Sequence, residues 1–351
     1  MTNELVIKYN ENICYDTSFN RLCSVDDSTV KLMLTERKEL PVSGNYHDVE
    51  REFFERLRAY NISQDEYEVT TDIHETLLID ELFKKNVSDD TLVISSDCEH
   101  GSIVKAVERC KNVLTLKMES EIRALNFSVL KKRLEKKDYK NVFVSIIGTS
   151  CGTGEITPQF CFKTIKDILV ENGIDHKMCI DDAQGLFTVK RDYSIFDYIL
   201  ATAHVIAPYY MMGILISKTG EVGIKASNWL QQYINISDVS RVMLQEFSDF
   251  NLLMADYFTP IIADYEGCSF PKYAISPNIF SIKLDGRCIK EDWVKRLDDM
   301  NKVHIENAGT ENCTMRLRLI DTVTHFNYVK AGLLQVGSFM EEFKQLEDLR
   351  K

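Results

Sequence analysis

The sequence has few of the features that mark special classes of protein. Its 351 residues include only 6 prolines and 15 glycines, without repeats or low-complexity tracts, which excludes collagen-like and disordered classes. No apolar run approaches the roughly 20 residues that a membrane-spanning helix needs. The polar N-terminus lacks the apolar core of a signal peptide. These absences predict a soluble, cytoplasmic protein without a membrane partner.

Basic residues and paired cysteine motifs are also scarce. The chain has 42 Lys and Arg against 54 Asp and Glu, a net charge of −12. Because nucleic acids and anionic membranes bind basic patches, neither is an expected partner. The ten cysteines form no C-x-x-C pair, so no metal site is expected and most should be small buried residues. Cys98 and Cys151 are exceptions because they lie in or beside the motifs below.

Three short apolar runs are each followed by polar or small residues. They are Val142–Ile147, Met178–Ile180 and Tyr198–Leu200. Runs of this length between helical segments are typical of buried parallel strands, whose carboxyl ends hold the ligands of open α/β sheets. Asp181 follows the second run and His204 lies just beyond the third. The sequence therefore predicts a site at this edge.

Four segments resemble, in their order and spacing, the group II pyridoxal-phosphate amino-acid decarboxylases, with the histidine decarboxylase branch most similar. They are SSDCEHGSIVKAV (95–107), IIGTS (146–150), IDDA (180–183) and FDYILATAH (196–204). The resemblance implies α/β fold type I of the pyridoxal-phosphate-dependent transferases. That fold has a large domain, with a mostly parallel seven-stranded sheet between helices, and a small C-terminal α/β domain. The expected divisions are an arm at 1–45, a cofactor-type domain at 46–245 and a small domain at 246–351.

The resemblance also implies roles for individual residues. His100 would stack on the pyridine ring, Asp181 would pair with its nitrogen, Ala183 would lie beneath it, and Thr149 and Ser150 would supply hydroxyls. The residues alone allow a plainer interpretation. A histidine near a helix start often caps or packs, and an aspartate can simply cap a strand end.

The segment expected to hold the cofactor phosphate departs from the family. Instead of a turn rich in Gly, Ser and Thr, this chain has Thr71, Asp72, Ile73, His74 and Glu75. Each carboxylate about 4 Å from a phosphate would cost roughly 1 to 4 kcal/mol. The favoured interpretation is a capping box, with Asp72 as N-cap and Glu75 three residues on. The phosphate cradle is therefore expected to be rebuilt or lost.

The lysine on which the family depends is missing from its place. No lysine or arginine lies between Arg191 and Lys218. Alignment forward from FDYI puts Val205 at the lysine position, and alignment backward from GILI puts His204 there. An imine needs a primary amine, which neither residue supplies. The internal Schiff base is therefore expected to be absent unless a distant lysine reaches in.

The expected function is a diverged decarboxylase-like protein that has lost Schiff-base chemistry and acts as a binding, regulatory or partner subunit. One alternative is a working enzyme that uses pyridoxamine phosphate or another altered mechanism, with His204 and His100 as catalytic residues. The other is an ordinary amino-acid decarboxylase, a carbon–carbon lyase. Pyridoxal or pyridoxamine phosphate, if bound, would be non-covalent. The expected assembly is a homodimer, with a heterodimer containing an active paralogue as the alternative, and a small molecule is an expected ligand.

Overall fold

The computed structural model describes residues 51–202 and 213–218, except 52, 56, 73, 120–123, 152–153, 187–188 and 190. Beyond these it describes the backbone of four short strands between residues 268 and 318. The expected N-terminal arm, His204 and Val205 lie outside the described residues. No helix in the described ranges has the length and hydropathy to cross a membrane.

The strands between residues 67 and 218 are β1 (Tyr67–Asp72), β2 (Thr91–Ser96), β3 (Asn112–Leu116), the short pair β4 (Met118–Glu119) and β5 (Ala124–Leu125), β6 (Asn141–Ile147), β7 (His176–Asp181), β8 (Tyr198–Thr202) and β9 (Gly213–Lys218). Seven of them form the main sheet, in the order β3-β2-β6-β7-β8-β9-β1. The pairs from β3 to β8 are parallel, and β9 runs antiparallel to both of its neighbours. The predicted mostly parallel seven-stranded sheet is therefore confirmed.

Helices cover both faces of this sheet. They are α1 (Glu75–Asn86), α2 (Gly101–Val107), α3 (Phe127–Leu134) and α4 (Gln159–Glu171). Alternate strand residues belong to two hydrophobic clusters, as the two-residue period of a strand requires. One cluster contains residues of α1 and α2, and the other contains residues of α3, α4 and the helical residues near Phe53. Both faces of the central strands are therefore buried.

The local sequence accounts for these elements. α1 buries Leu78, Ile79, Leu82 and Phe83, a spacing that keeps one helical face apolar. The three apolar runs that predict strands lie in β6, β7 and β8, and α4 ends two residues before Gly173. Gly173 follows α4 with a positive φ of 63°, the left-handed conformation that commonly ends a helix.

A smaller antiparallel sheet lies in the C-terminal part of the chain. Its strands are β10 (Cys268–Ser269), β11 (Ile279–Leu284), β12 (Glu306–Asn307) and β13 (Thr314–Arg318). Their order in the sheet is β10-β11-β13-β12, and they belong to a separate compact unit. All four strands fall in the segment 246–351, where a small C-terminal domain is expected.

Gly213 lets the first turn of α1 lie against β9. It pairs with Asp72 on β1, and a Cβ at this position would lie 2.4 Å from both the backbone N and the Cα of Glu75. No side chain fits there without moving the backbone of α1. The start of β9 therefore helps to fix the N-terminus of this helix.

We expect Gly213→Ala to lower the free energy of unfolding by about 1 to 3 kcal/mol, because the added methyl group overpacks against backbone atoms. Gly101→Ala is the matched control, since its Cβ would meet no atom within 4 Å at the first residue of α2. That variant should be neutral or more stable by up to about 1 kcal/mol. Urea unfolding followed by circular dichroism measures both. Equal effects of the two substitutions would contradict the close approach of Gly213 to the backbone of Glu75.

Candidate functional site

Buried polar side chains gather at the carboxyl ends of the parallel strands. Thr149 follows β6, Asp181 and Asp182 lie at the end of β7, and Thr202 ends β8, all of them less than 4% exposed. Buried polar groups therefore lie at the edge of the sheet predicted from the apolar runs. In open α/β sheets this edge holds the ligand.

Glu99, in the turn between β2 and α2, bridges two strand ends. Its Oε1 accepts hydrogen bonds from the Ser96 hydroxyl, from the Ser96 N–H at 3.2 Å and from the Ile147 N–H at 2.9 Å. Its Oε2 is buried and has no hydrogen-bond partner among the described residues. Burial raises the pKa of Glu99 to about 8, with a smaller contribution from Asp181, although the three hydrogen bonds oppose the shift.

Asp181 ends β7 and is 2% exposed. Its Oδ1 accepts a hydrogen bond from the Ala183 N–H at 3.2 Å. Burial raises its pKa to about 7, the Ala183 hydrogen bond lowers it, and the adjacent Asp182 raises it. The side chain therefore changes charge close to neutral pH.

Glu75 is the first residue of α1, and its carboxyl group is buried beside Asp181. Burial raises its pKa well above the usual value, and the charge of Asp181 raises it further. Its Oε1 has no hydrogen-bond partner in the described part of the chain. Glu75, Glu99 and Asp181, here called the carboxyl cluster, come from three separate segments that meet at one edge. No lysine or arginine of the described residues forms an ion pair with them.

Asp182, unlike the carboxyl cluster, is paired with a cation and accepts several side-chain hydrogen bonds. It accepts a 3.0 Å bond from Nε of Arg191, a 2.6 Å bond from the Tyr193 hydroxyl and a 3.1 Å bond from the Thr149 hydroxyl. Arg191 also donates to the carbonyls of Thr157 and Gly148, both at 2.9 Å, and lies over the Phe162 ring. This network joins the loops that follow β6 and β7.

The structure assigns helix-capping contacts to the predicted histidine of the site. His100 is exposed, and its Nδ1 accepts from the Ser102 N–H at 3.3 Å, so His100 is the N-cap of α2. The capping alternative is therefore present, and the stacking role stays a prediction. Ala183 and Ser150 are partly buried beside the strand ends.

The capping box predicted at Asp72 is wrong. Pairing with Gly213 keeps Asp72 in β1, so the helix begins two residues later than the pattern suggested. His74 is the N-cap instead, and its Nδ1 accepts from the Thr76 N–H at 3.3 Å. Glu75 is therefore not part of a capping box, and its carboxyl group belongs to the carboxyl cluster.

Lys218, the first lysine after Arg191, lies at the opposite edge of the sheet. It pairs with Tyr67 at the start of β1, and its Nζ is 3.3 Å from the Asp197 carboxylate. Because β9 runs antiparallel to its neighbours, its last residue lies where the parallel strands begin. Lys218 therefore does not supply an amine to the carboxyl cluster.

The first turn of α1 does not fit the phosphate of the cofactor that the resemblance implies. The N–H groups of Thr76 and Leu77 already donate to Nδ1 and to the carbonyl of His74, at 3.3 and 3.1 Å. Glu75 adds a buried carboxyl group where an anion would have to lie. A helix N-terminus binds phosphate through free amides, and these are engaged.

Sequence reasoning missed Glu99 and Arg191. Glu99 lies inside a recognised motif, directly after a buried strand, and this position was a usable signal. Arg191 lies nine residues beyond Asp182, and nothing in the spacing indicates that the two meet. Only the turn after β7 brings them together.

We expect Arg191→Lys to destabilise the protein by about 3 to 5 kcal/mol, because one ammonium group cannot replace the bonds of Arg191 to Asp182, Thr157 and Gly148. The control is Lys140→Ala, which removes an exposed ion pair with Asp90 and should cost less than about 1 kcal/mol. Chemical unfolding measures both. A loss at Arg191 no larger than at Lys140 would refute the structural role of the network.

The raised pKa values of Glu99 and Asp181 predict that stability falls as pH rises. Between about pH 5 and pH 8 the unfolded chain has released these protons while the folded state retains them, so the free energy of unfolding decreases. Glu99→Gln should reduce the change between pH 5 and pH 8 by about 1 to 4 kcal/mol. Glu81→Gln, at an exposed position of α1, should keep the wild-type slope. Urea unfolding at several pH values measures how the free energy of unfolding depends on pH. An unchanged pH dependence in Glu99→Gln would contradict the burial of this carboxyl group.

Solved structures with a similar fold match nearly the whole chain. A NifS-like protein from Rickettsia africae has a TM-score of 0.71 at 16% identity, covering 95% of this chain and 99% of its own. A PLP-dependent aminotransferase from Streptococcus suis has a TM-score of 0.70 at 14% identity, with 94% of each chain covered. A multiple substrate aminotransferase from Thermococcus profundus has a TM-score of 0.67 at 12% identity, covering 96% and 93%. No protein-family model and no curated protein matches the sequence.

Identities this low show a common fold and leave the activity open. The mostly parallel seven-stranded sheet, with helices on both faces, is the arrangement expected from the motifs. The chain has the mixed α/β fold type I of the PLP-dependent transferases.

Proposed function

We propose that this chain keeps the transferase fold but has lost Schiff-base chemistry, and that it acts as a ligand-binding or partner subunit. The observation that carries the proposal is the buried carboxyl group of Glu75, beside Asp181 in the first turn of α1. This is the place where a phosphorylated cofactor would need donors and positive charge. As a partner subunit the chain would act in a dimer, as the resemblance implies.

The position of the lysines supports the same proposal. No lysine occurs between residues 191 and 218, and Lys218 pairs with Asp197 at the opposite edge of the sheet. The amine needed for an imine is therefore absent from the segment that should supply it. The departures in α1 and in this segment are independent of each other.

A working enzyme of altered mechanism is the second candidate. The pKa values of Asp181 and Glu99, about 7 and about 8, favour it because groups that titrate near neutrality suit proton transfer. In this candidate the chain would use pyridoxamine phosphate, with His204 as a further base. The engaged amides of α1 count against it, since they leave its phosphate without donors.

We expect purified protein mixed with pyridoxal phosphate to show no imine absorbance band. After borohydride reduction, peptide mapping by mass spectrometry should find no stoichiometric adduct at a single lysine, because the segment expected to supply the amine contains no lysine. Scattered, substoichiometric labelling of surface lysines is the expected background.

A stoichiometric adduct at one lysine would overturn the proposal. Saturable binding of pyridoxamine phosphate that is lost in Asp181→Asn would instead support the altered enzyme. Glu81→Gln is the control for both arms, because its side chain is exposed on α1.

A further inference from the structure

We propose that the first turn of α1 excludes phosphorylated ligands, and that His74 and Glu75 are the residues that determine this specificity. The ligand that the carboxyl edge of the sheet accepts is then a small molecule without a phosphate group. This inference rests on the proposed function, because it names the class of ligand that a binding subunit of this kind accepts.

The N-terminus of α1 lies at the carboxyl edge of the sheet. Gly213, the first residue of β9, pairs with Asp72 at the end of β1 and with Thr202 at the end of β8. A Cβ on Gly213 would lie 2.4 Å from both the backbone N and the Cα of Glu75, so the first turn of α1 contacts the sheet at this edge. Ligands of open α/β sheets bind at this edge, and free N–H groups at a helix N-terminus bind phosphate. The first turn of α1 is therefore an expected place for a phosphate.

The N–H groups of this turn are not available to an anion. The Thr76 N–H donates to Nδ1 of His74 at 3.3 Å, and the Leu77 N–H donates to the carbonyl of His74 at 3.1 Å. The backbone N of Glu75 lies against Gly213. A phosphate would have to displace the histidine cap, and it cannot reach the Glu75 N–H from the side of β9.

The hydroxyl group of the turn is engaged as well, and the neighbouring helix repeats the arrangement. The hydroxyls of Thr76 and Ser102 share a hydrogen bond of 3.2 Å that joins α1 to α2. In α2 the Ser102 N–H donates to Nδ1 of His100 at 3.3 Å, and the Val104 N–H donates to the carbonyl of His100 at 3.0 Å. Neither helix start therefore offers an anion the free donors that phosphate binding requires.

Glu75 makes the turn unfavourable for a phosphate in either of its protonation states. Its Oε1 is buried and has no hydrogen-bond partner among the described residues, so the side chain does not extend fully into solvent. An ionised carboxylate repels a phosphate. A protonated carboxyl group offers one donor, whereas a phosphate at a helix N-terminus receives several.

The turn is also held in place, so it cannot move aside for a ligand. Glu75 contacts Gly213 through backbone atoms, and Gly213 is paired with a strand on each side. Directly after the turn, α1 buries Leu78 and Ile79 in the hydrophobic cluster that it shares with the sheet. A shift of the turn would separate these side chains from the core.

The test compares pyridoxamine phosphate with pyridoxamine in isothermal titration calorimetry of the full chain. We expect the wild type to show no saturable binding that depends on the phosphate group. His74→Gly/Glu75→Ser frees the N–H groups and removes the carboxyl group, so it should bind pyridoxamine phosphate at least about ten times more tightly than the limit measured for the wild type. Its affinity for pyridoxamine should not change.

The matched control is His74→Gly/Glu81→Ser, which loses the same cap and an exposed carboxyl group of the same helix. It should stay within about two-fold of the wild type. Circular dichroism verifies that each variant is folded. The single variant Glu75→Ser keeps the histidine cap and should gain less affinity than the double variant, and it serves as the test if the double variant does not fold.

Three results would overturn the inference: tighter binding of pyridoxamine phosphate than of pyridoxamine by the wild type, no gain in the Glu75 variants, or an equal gain in the control. Such binding by the wild type without a lysine adduct defeats this inference and leaves the loss of Schiff-base chemistry standing. A single-lysine adduct that forms with pyridoxal but not with pyridoxal phosphate defeats the proposed function and leaves the exclusion of phosphate standing. The two failures are therefore distinguishable.

Discussion

The buried ion pair between Arg191 and Asp182 is the interaction on which the carboxyl edge of the sheet depends. An unpaired charge at either position would be severely destabilising, and the pair is tolerated because its hydrogen-bonding groups have partners. A Cβ at Gly148 or Gly185 would lie within 2.4 Å of the Asp182 carboxylate, so both loops close tightly on it. The described residues of the turns after β6 and β7 therefore pack closely around the Asp182 carboxylate.

These contacts explain why the neighbouring residues Asp181 and Asp182 have different electrostatic environments. Asp182 is fixed by the network, while Asp181 is held one residue away, at the strand end, with a single described donor. Burial then acts on Asp181 without full compensation, and its pKa rises to about 7. The same segment thus supplies both a structural anchor and a group that titrates near neutrality.

The strands and helices could be predicted because burial leaves a periodic trace in the sequence. The run Val142–Ile147 has the composition of a strand covered on both faces, and the apolar spacing in α1 is that of a helix. The start of α1 could not be predicted, because Asp72 looks like a cap until its pairing with Gly213 is known. Arg191 was invisible for the same reason: its contacts exist only in the folded chain. Tertiary pairing decided both cases.

The hydrophobic clusters and the carboxyl edge of the sheet are stabilised by separate sets of contacts. The two hydrophobic clusters bury both faces of the sheet, and the Arg191 network draws all its described partners from the protein itself. Neither depends on a phosphate at α1, so a residue such as Glu75 can occupy that turn without loss of the sheet. The energetic cost of burying these carboxyl groups is local, and it raises their pKa values.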